Sequence, residues 1–216
     1  MEMDRHDLAY LNQSASVHFL DDSLSEHAKH KVLDLLHDNV PLTVCRQDHV
    51  DEGHIKLAIS CFVEGIKYRI ALTIDQSDLS KITRPIELYR LAHNFSELST
   101  RVFSDFIQKM KIMECDIYVY GSYAYEYLTK EHYVNVNSDL DIVLYPKSEQ
   151  DITAILNQIQ KLKQQTNICI DGDIKIHPDW HVSFNELIKI LPDIEQKIIA
   201  KGIKRIGLFT LKELLG

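Results

Sequence analysis

The order of apolar patterns along the chain predicts an α/β or α+β protein. The first half carries strand-like runs and a long amphipathic stretch follows them. The second half then alternates strand, helix, strand, helix, strand before closing with helices. With 216 residues, 45% of them hydrophobic, the chain is long enough to bury a core in one large domain or two small ones.

The first helix is predicted in LSEHAKHKVLDLLHDN, where Leu24, Ala28, Val32 and Leu35 or Leu36 recur at helical spacing and Asn39-Val40-Pro41 stops the pattern. From about Val40 to Ile74 the runs VPLTVCR, HIKLAISCFV and IKYRIALTI read as strands, the last two joined at Glu64-Gly65 into a hairpin. In TRPIELYRLAHNFSELSTRVFSDFIQKMKIM, the residues Leu88, Leu91, Phe95, Leu98, Val102 and Phe106 fall on one face of a long helix starting just after Pro85.

In the second half CDIYVYGS is a strand, YAYEYLTKE a short helix and SDLDIVLYP a second strand. SEQDITAILNQIQKLKQQT is a helix with Ser148 at its N-cap and Asp151 three positions on. NICIDGDIKI is a third strand or hairpin arm, and VSFNELIKILPDIEQKIIAKGIKRIGLFTLKELLG reads as closing helices. A domain boundary is expected in or just after the long helix, near residues 105–115. There is no internal repeat and no low-complexity segment.

No run of about 18 apolar residues is present, and MEMDRHDLAYLNQ has charges on both sides of its few apolar residues. These features lead us to expect a soluble, cytoplasmic protein. Cys45, Cys61, Cys115 and Cys169 form no CxxC pair, so neither a zinc ribbon nor a redox motif is supported, and each is expected to be a small buried hydrophobe. A net charge of -8 argues against a nucleic-acid-binding surface but is compatible with a local basic pocket.

The chemistry concentrates in YVYGSYAYEYLTKEHYVNVNSDLDIVLYP, Tyr118 to Pro146. Strand alternation turns Asp139 and Asp141 to one side while Leu140 and Ile142 enter the core. Two carboxylates roughly 7 Å apart along a strand can converge on a cation, and oxygen-only ligation favours Mg²⁺ or Mn²⁺. Gly121 and Ser122 fall where a strand turns into a helix, a geometry that lets backbone N–H groups approach a phosphate. Together these features suit phosphoryl or nucleotidyl transfer. A third acid is expected from NICIDGDIKI, where Asp171 and Asp173 share a face. Asp171 is favoured because Gly172 is expected to bulge the strand and re-aim it, and it would ligate a metal or accept the nucleophile's proton. Alone, a Gly-Ser pair is a turn, Asp-Leu-Asp a solvated strand edge and Asp-Gly-Asp a hairpin turn; the joint order carries the functional reading.

Weaker candidates have structural explanations. His177 and His181 in HPDWH flank Pro178 and read as a turn rather than a helical metal site. Arg46, Lys56, Lys67, Arg69 and Arg84 gather in the N-terminal strand region, where they form a phosphate-holding cluster or a solvated face. Tyr118, Tyr120, Tyr123, Tyr125 and Tyr127 pass from strand to helix and read as mixed core and cleft wall.

VYGSYAYEYL followed by SDLDIVLYP resembles the signature of the DNA polymerase beta-like nucleotidyltransferase superfamily. Its spacer, Tyr123 to Ser138, is longer than that superfamily's usual one, the extra length falling in KEHYVNVN. Nearly the whole chain also resembles a narrower family, the malonate decarboxylase holo-[acyl-carrier-protein] synthases, or phosphoribosyl-dephospho-CoA transferases. The similar segments, in that family's order, are RHDLAYL, VPLTVCR, KYRIALTI with ITRP, YGSYAYEYLT, SDLDIVL, IDGDIKIHPDWHVSFNEL and GLFTLKELL.

The resemblance implies an α+β fold with a nucleotidyltransferase-type mixed sheet. A smaller N-terminal α+β domain over residues 1–85 would bind donor or carrier, a connecting helix would span 86–113, and the catalytic domain would span 114–216. It also implies transfer of a phosphoribosyl-dephospho-CoA group from a triphosphoribosyl-dephospho-CoA donor to a serine of the apo acyl carrier protein of malonate decarboxylase, releasing diphosphate. Asp139 and Asp141 would hold Mg²⁺, Gly121 and Ser122 the triphosphate, and Asp171 would activate the serine. The competing expectations are a nucleotidyltransferase that adenylylates another protein or a small molecule, and a nucleotide-sensing module with a degenerate site.

Overall fold

The computed structural model describes residues 3–91, 95–148, 151–191, 193 and 195–215. The chain divides into two compact units, Met1–Pro85 with Ile203–Arg205 and Ile86–Gly202 with Ile206–Gly216. The fold is α+β, and the described residues form one sheet of six strands and one of seven.

In the first unit the strands are β1 (Leu8–Leu11), β2 (Val17–Phe19), β3 (Leu42–Val44), β4 (His54–Val63), β5 (Ile66–Asp75) and β6 (Leu79–Thr83), and the helix is α1 (Glu26–His37). The sheet order is β2-β5-β4-β3-β1-β6, and every pairing is antiparallel. β4 and β5 form the predicted hairpin. Glu64 and Gly65 both have positive φ at its turn, as a tight two-residue connection requires. Ser25 caps α1 by accepting from the Ala28 N–H, and Ala28, Val32 and Leu35 form its buried stripe against β4. β1, β2 and β6 lie in segments whose pattern did not announce strands, and long-range pairing holds them there.

In the second unit the elements are β7 (Ile86–Glu87), α2 (Leu88–Leu91), α3 (Glu97–Ile112), β8 (Cys115–Tyr120), α4 (Gly121–Thr129), β9 (Leu140–Pro146), α5 (Ile152–Gln165), β10 (Ile170–His177), β11 (Trp180–Ser183), α6 (Phe184–Ile190), β12 (Lys197–Lys201), β13 (Ile206–Thr210) and α7 (Leu211–Leu215). The sheet runs β13-β12-β11-β10-β9-β8-β7. β9 and β10 are parallel, joined by the α5 crossover, and all other pairs are antiparallel. The core gathers Phe103, Phe106 and Met110 of α3, Ile155, Leu156 and Ile159 of α5, and the inward residues of β8 to β11.

Four expectations are corrected. The long helix after Pro85 is broken: Ile86–Glu87 is a strand, α2 is a single turn, and Ser96 caps α3 afresh by accepting from the Ser99 N–H. The restart rotates the buried face to Phe103, Phe106 and Met110 and leaves Leu98 72% exposed. Residues 92–94 of that prediction lie outside the described residues. Ser148 does not cap α5, because the helix begins at Ile152 with Asp151 at the cap position and no side-chain cap bond. The segment KIIAKGIKRIGLFT, read as helical, is the β12–β13 hairpin. Its alternation of buried Ile198 and Ala200 with outward Lys197 and Ile199 is the two-residue period of a strand. Finally, the β9–β10 register runs without a shift through Gly172, so that residue makes no bulge. A Cβ there would stand 1.8 Å from the Ile142 carbonyl oxygen, and φ is +145°, so glycine is required by close backbone approach.

Candidate active site

β8 ends at Tyr120, and the chain turns directly into α4 at Gly121 with φ +69°. Tyr120 occupies the N-cap in an extended conformation and gives the first turn no side-chain hydrogen bond. Tyr120 is paired with Asp141 on β9. An added Cβ at Gly121 would lie 2.3 Å from Asp141 Oδ2, so the Asp141 carboxylate rests against the strand-to-helix turn. The segment between these residues is anchored. Glu126 accepts from the N–H groups of Tyr133 and Val134, and the buried Tyr133 ring packs on Tyr125.

Asp171 on β10 is the direct register partner of Asp141 on parallel β9, so the two residues share a face on neighbouring strands about 5 Å apart. Leu140 and Ile142, which alternate with Asp141, are fully buried. Asp139 immediately precedes β9 and is exposed, and Asp141 is half-buried. The structure thus brings Gly121, Asp139, Asp141 and Asp171 to one end of β8, β9 and β10; Ser122 follows Gly121 in the first turn of α4. Asp173 takes a different partner. It is 3% exposed, two residues deeper along β10, and accepts from Lys201 Nζ of β12 at 3.0 Å.

Two residues that the sequence did not mark, Asn185 and Lys163, belong to this edge, together with Cys169, which was expected to be buried core. Asn185, in the first turn of α6, donates from Nδ2 to Asp171 Oδ1 at 2.7 Å, and Lys163, in the last turn of α5, donates to Asn185 Oδ1. Cys169, just before β10, is exposed rather than buried as expected. Its thiol is raised above its ordinary value, chiefly by donating to the Asp139 carboxylate, then by burial and the charge of Asp139, while Lys163 opposes the shift. The raised value favours the neutral thiol and lowers its thiolate share. Burial, with the charges of Glu126 and Asp139, raises Tyr123 and keeps its hydroxyl protonated. No local sequence signal marks Lys163, Asn185 or Cys169, since their meeting depends on the crossover.

Aspartate oxygens beside a phosphate-accessible turn form a donor set suited to a hard cation. Among the described residues, no group of three or more His, Cys, Asp or Glu side chains gathers to hold a metal ion. Two carboxylates are nevertheless the usual protein share of a Mg²⁺ site that takes its remaining ligands from substrate phosphates and water. Asp139 and Asp141 fit that pattern.

The other candidates resolve into structure. His177 opens the β10–β11 hairpin turn and His181 is buried on β11. Arg46 and Lys56 both bind Asp48, and Arg84 binds the buried Asp7 at 3.0 Å with Asp4 at 3.8 Å. Arg69 neighbours Cys45. Tyr125 is core, whereas Tyr118 makes an edge contact with Tyr145. No helix among the described residues is long and apolar enough to cross a membrane.

Residues 88–211, more than half of the chain, match the family model described as phosphoribosyl-dephospho-CoA transferase MdcG C-terminal domain. A phosphoribosyl-dephospho-CoA transferase from Xanthomonas euvesicatoria pv. vesicatoria is 22% identical over 183 residues, 84% of each chain. Its counterpart from Xanthomonas axonopodis pv. citri is similar to the same extent. One from Bradyrhizobium diazoefficiens is 24% identical over 143 residues, 66% of this chain and 61% of its own. No solved structure matches.

Proposed function

Because the chain belongs to the phosphoribosyl-dephospho-CoA transferase family, we propose that it moves a phosphoribosyl-dephospho-CoA group from a triphosphoribosyl-dephospho-CoA donor to a serine of the acyl carrier protein of malonate decarboxylase. The observation that supports this reading best is the in-register pair Asp141–Asp171, with Gly121 closing against Asp141.

In this reading the carrier's serine oxygen forms a bond to the phosphorus next to the donor ribose. The bond from that phosphorus to the terminal diphosphate breaks, and diphosphate leaves with the electron pair. Asp171 accepts the serine proton. The first turn of α4, at Gly121 and Ser122, receives triphosphate oxygens on backbone N–H groups at the positive end of the helix. Asp139 and Asp141 would hold Mg²⁺ (or Mn²⁺), which would supply positive charge to offset that on the phosphate oxygens. Cys169 and Tyr123 keep their own protons beside Asp139.

The test is release of diphosphate, followed with donor alone, carrier alone and both together. Release that requires both supports the reading, and Asp139→Ala and Asp141→Ala each abolish it while the circular dichroism spectrum stays unchanged. Either variant turning over at the wild-type rate contradicts the proposal. Transfer from ATP in place of the triphosphoribosyl donor would favour adenylylation.

A further inference from the structure

The geometry points to Asn185 as a positioning residue that orients Asp171 and is itself fixed by Lys163. The inference rests on the reading of Asp171 as the proton acceptor. An asparagine amide can present either end to a neighbour, and here both neighbours decide which. Lys163 is an ammonium with donors only, so the atom facing it must be Oδ1. Asp171 is an acceptor when ionised, so the atom facing it must be Nδ2. Flipping the amide would set NH₂ against the ammonium and the carbonyl oxygen against the carboxylate, losing both hydrogen bonds at once.

Each member stands on a different element. Lys163 belongs to the last turn of α5 and also lies 5.9 Å over the Phe184 ring. Asn185 belongs to the first turn of α6, whose start is set by Ser183 accepting from the Glu186 N–H. Asp171 belongs to β10. The chain of contacts therefore couples the crossover helix to the rotamer of an exposed carboxylate that would otherwise turn freely in water. The amide occupies Oδ1 and leaves Oδ2 as the oxygen for an incoming hydroxyl. Lys163 and Asn185 also line a recess of about 590 Å³ with Gln160, Gln164, Ile188 and Lys189, so solvent reaches this contact.

The test compares Asn185→Asp, which keeps shape and a partner for Lys163 but turns an acceptor toward Asp171, with Lys163→Met and Asp171→Ala. Steady-state transfer from triphosphoribosyl-dephospho-CoA to the apo carrier is measured for each. A hydrogen bond to a charged group predicts a kcat loss on the order of ten- to a hundredfold for Asn185→Asp, with the donor KM unchanged. Lys163→Met loses less, and Asn185→Asp adds no further loss in the Asp171→Ala background. An Asn185→Asp enzyme with wild-type kcat overturns the inference, as does a loss of equal size in the Asp171→Ala background. If Asp171→Ala itself turns over at the wild-type rate, the reading of Asp171 falls and the inference with it, an outcome distinct from failure of Asn185 alone. A second measurement needs no substrate. The Asn185 side-chain amide protons exchange slowly in the wild type and fast in both Asp171→Ala and Lys163→Met, whereas equal exchange in all three proteins overturns the inference.

Discussion

Replacing Gly121 by alanine perturbs the candidate site in two separable ways. The backbone there has φ +69°, a left-handed conformation that costs a residue with a Cβ about 1–2 kcal/mol. At this chain length that lowers the melting temperature by about 2–4 °C per kcal/mol. The new methyl would also stand 2.3 Å from Asp141 Oδ2, about 1 Å inside ordinary contact. The atom it meets is the tip of a side chain, so the carboxylate gives way before the strand does, and the displacement falls on the group proposed to hold the cation. A misplacement of about 1 Å in a phosphoryl-transfer site costs on the order of a hundredfold in rate. Gly121→Ala is therefore expected to lose far more activity than stability. The assay pairs calorimetric melting with the rate of diphosphate release. A variant that melts normally and transfers at the wild-type rate would refute the placement of Asp141 against the turn as a functional contact.

Three further outcomes follow from the same geometry. The Cys169 thiol is raised mainly by its bond to Asp139, so in chelator at pH 8 it reacts slowly with iodoacetamide, and Asp139→Asn accelerates alkylation at that site, read by peptide mass. Lys201→Met removes the ammonium that donates to the buried Asp173 carboxylate and should cost about 1–3 kcal/mol in denaturant unfolding, while the activity of the folded enzyme persists because neither residue belongs to the proposed site. Asp7 is raised above its usual carboxylate value by burial, against the pull of Arg84. A raised folded value means that its contribution is fully present below the unfolded value and is lost as pH rises through the folded one. The stability of the wild type relative to Asp7→Asn therefore declines as pH rises from about 4, measured as the denaturant midpoint across pH.

The parts of the fold that were legible in the sequence are those whose period is local. HIKLAISCFV and IKYRIALTI alternate strongly around a two-residue turn, and α5 presents Ile152, Ile155, Leu156, Ile159 and Leu162 as an unbroken stripe. The candidate site was legible for the same reason. Gly121 marks a turn, and Asp139 and Asp141 interrupt a run whose Leu140 and Ile142 can only be core. The β12–β13 hairpin was misread because its lysines and isoleucines fit a helical spacing as well as an alternating one, and only pairing with β11 decides between them. β1 and β6 pair across some seventy residues of chain, which no window along the sequence can sense. Lys163, Cys169 and Asn185 were silent because a lysine near a helix end, a lone cysteine and an asparagine after a cap are ordinary in those places. The α5 crossover gives them their meaning by returning β10 beside β9.

The central claim is that this edge of the sheet transfers a phosphoribosyl-dephospho-CoA group to a carrier serine. Its most direct test is the intact mass of a purified apo carrier subunit of malonate decarboxylase after incubation with the enzyme, Mg²⁺ and triphosphoribosyl-dephospho-CoA. The account predicts a mass gain equal to one phosphoribosyl-dephospho-CoA group on a serine, absent with Asp141→Asn enzyme of unchanged melting temperature. No gain with that donor but a gain with ATP, or full modification by Asp141→Asn, would contradict it.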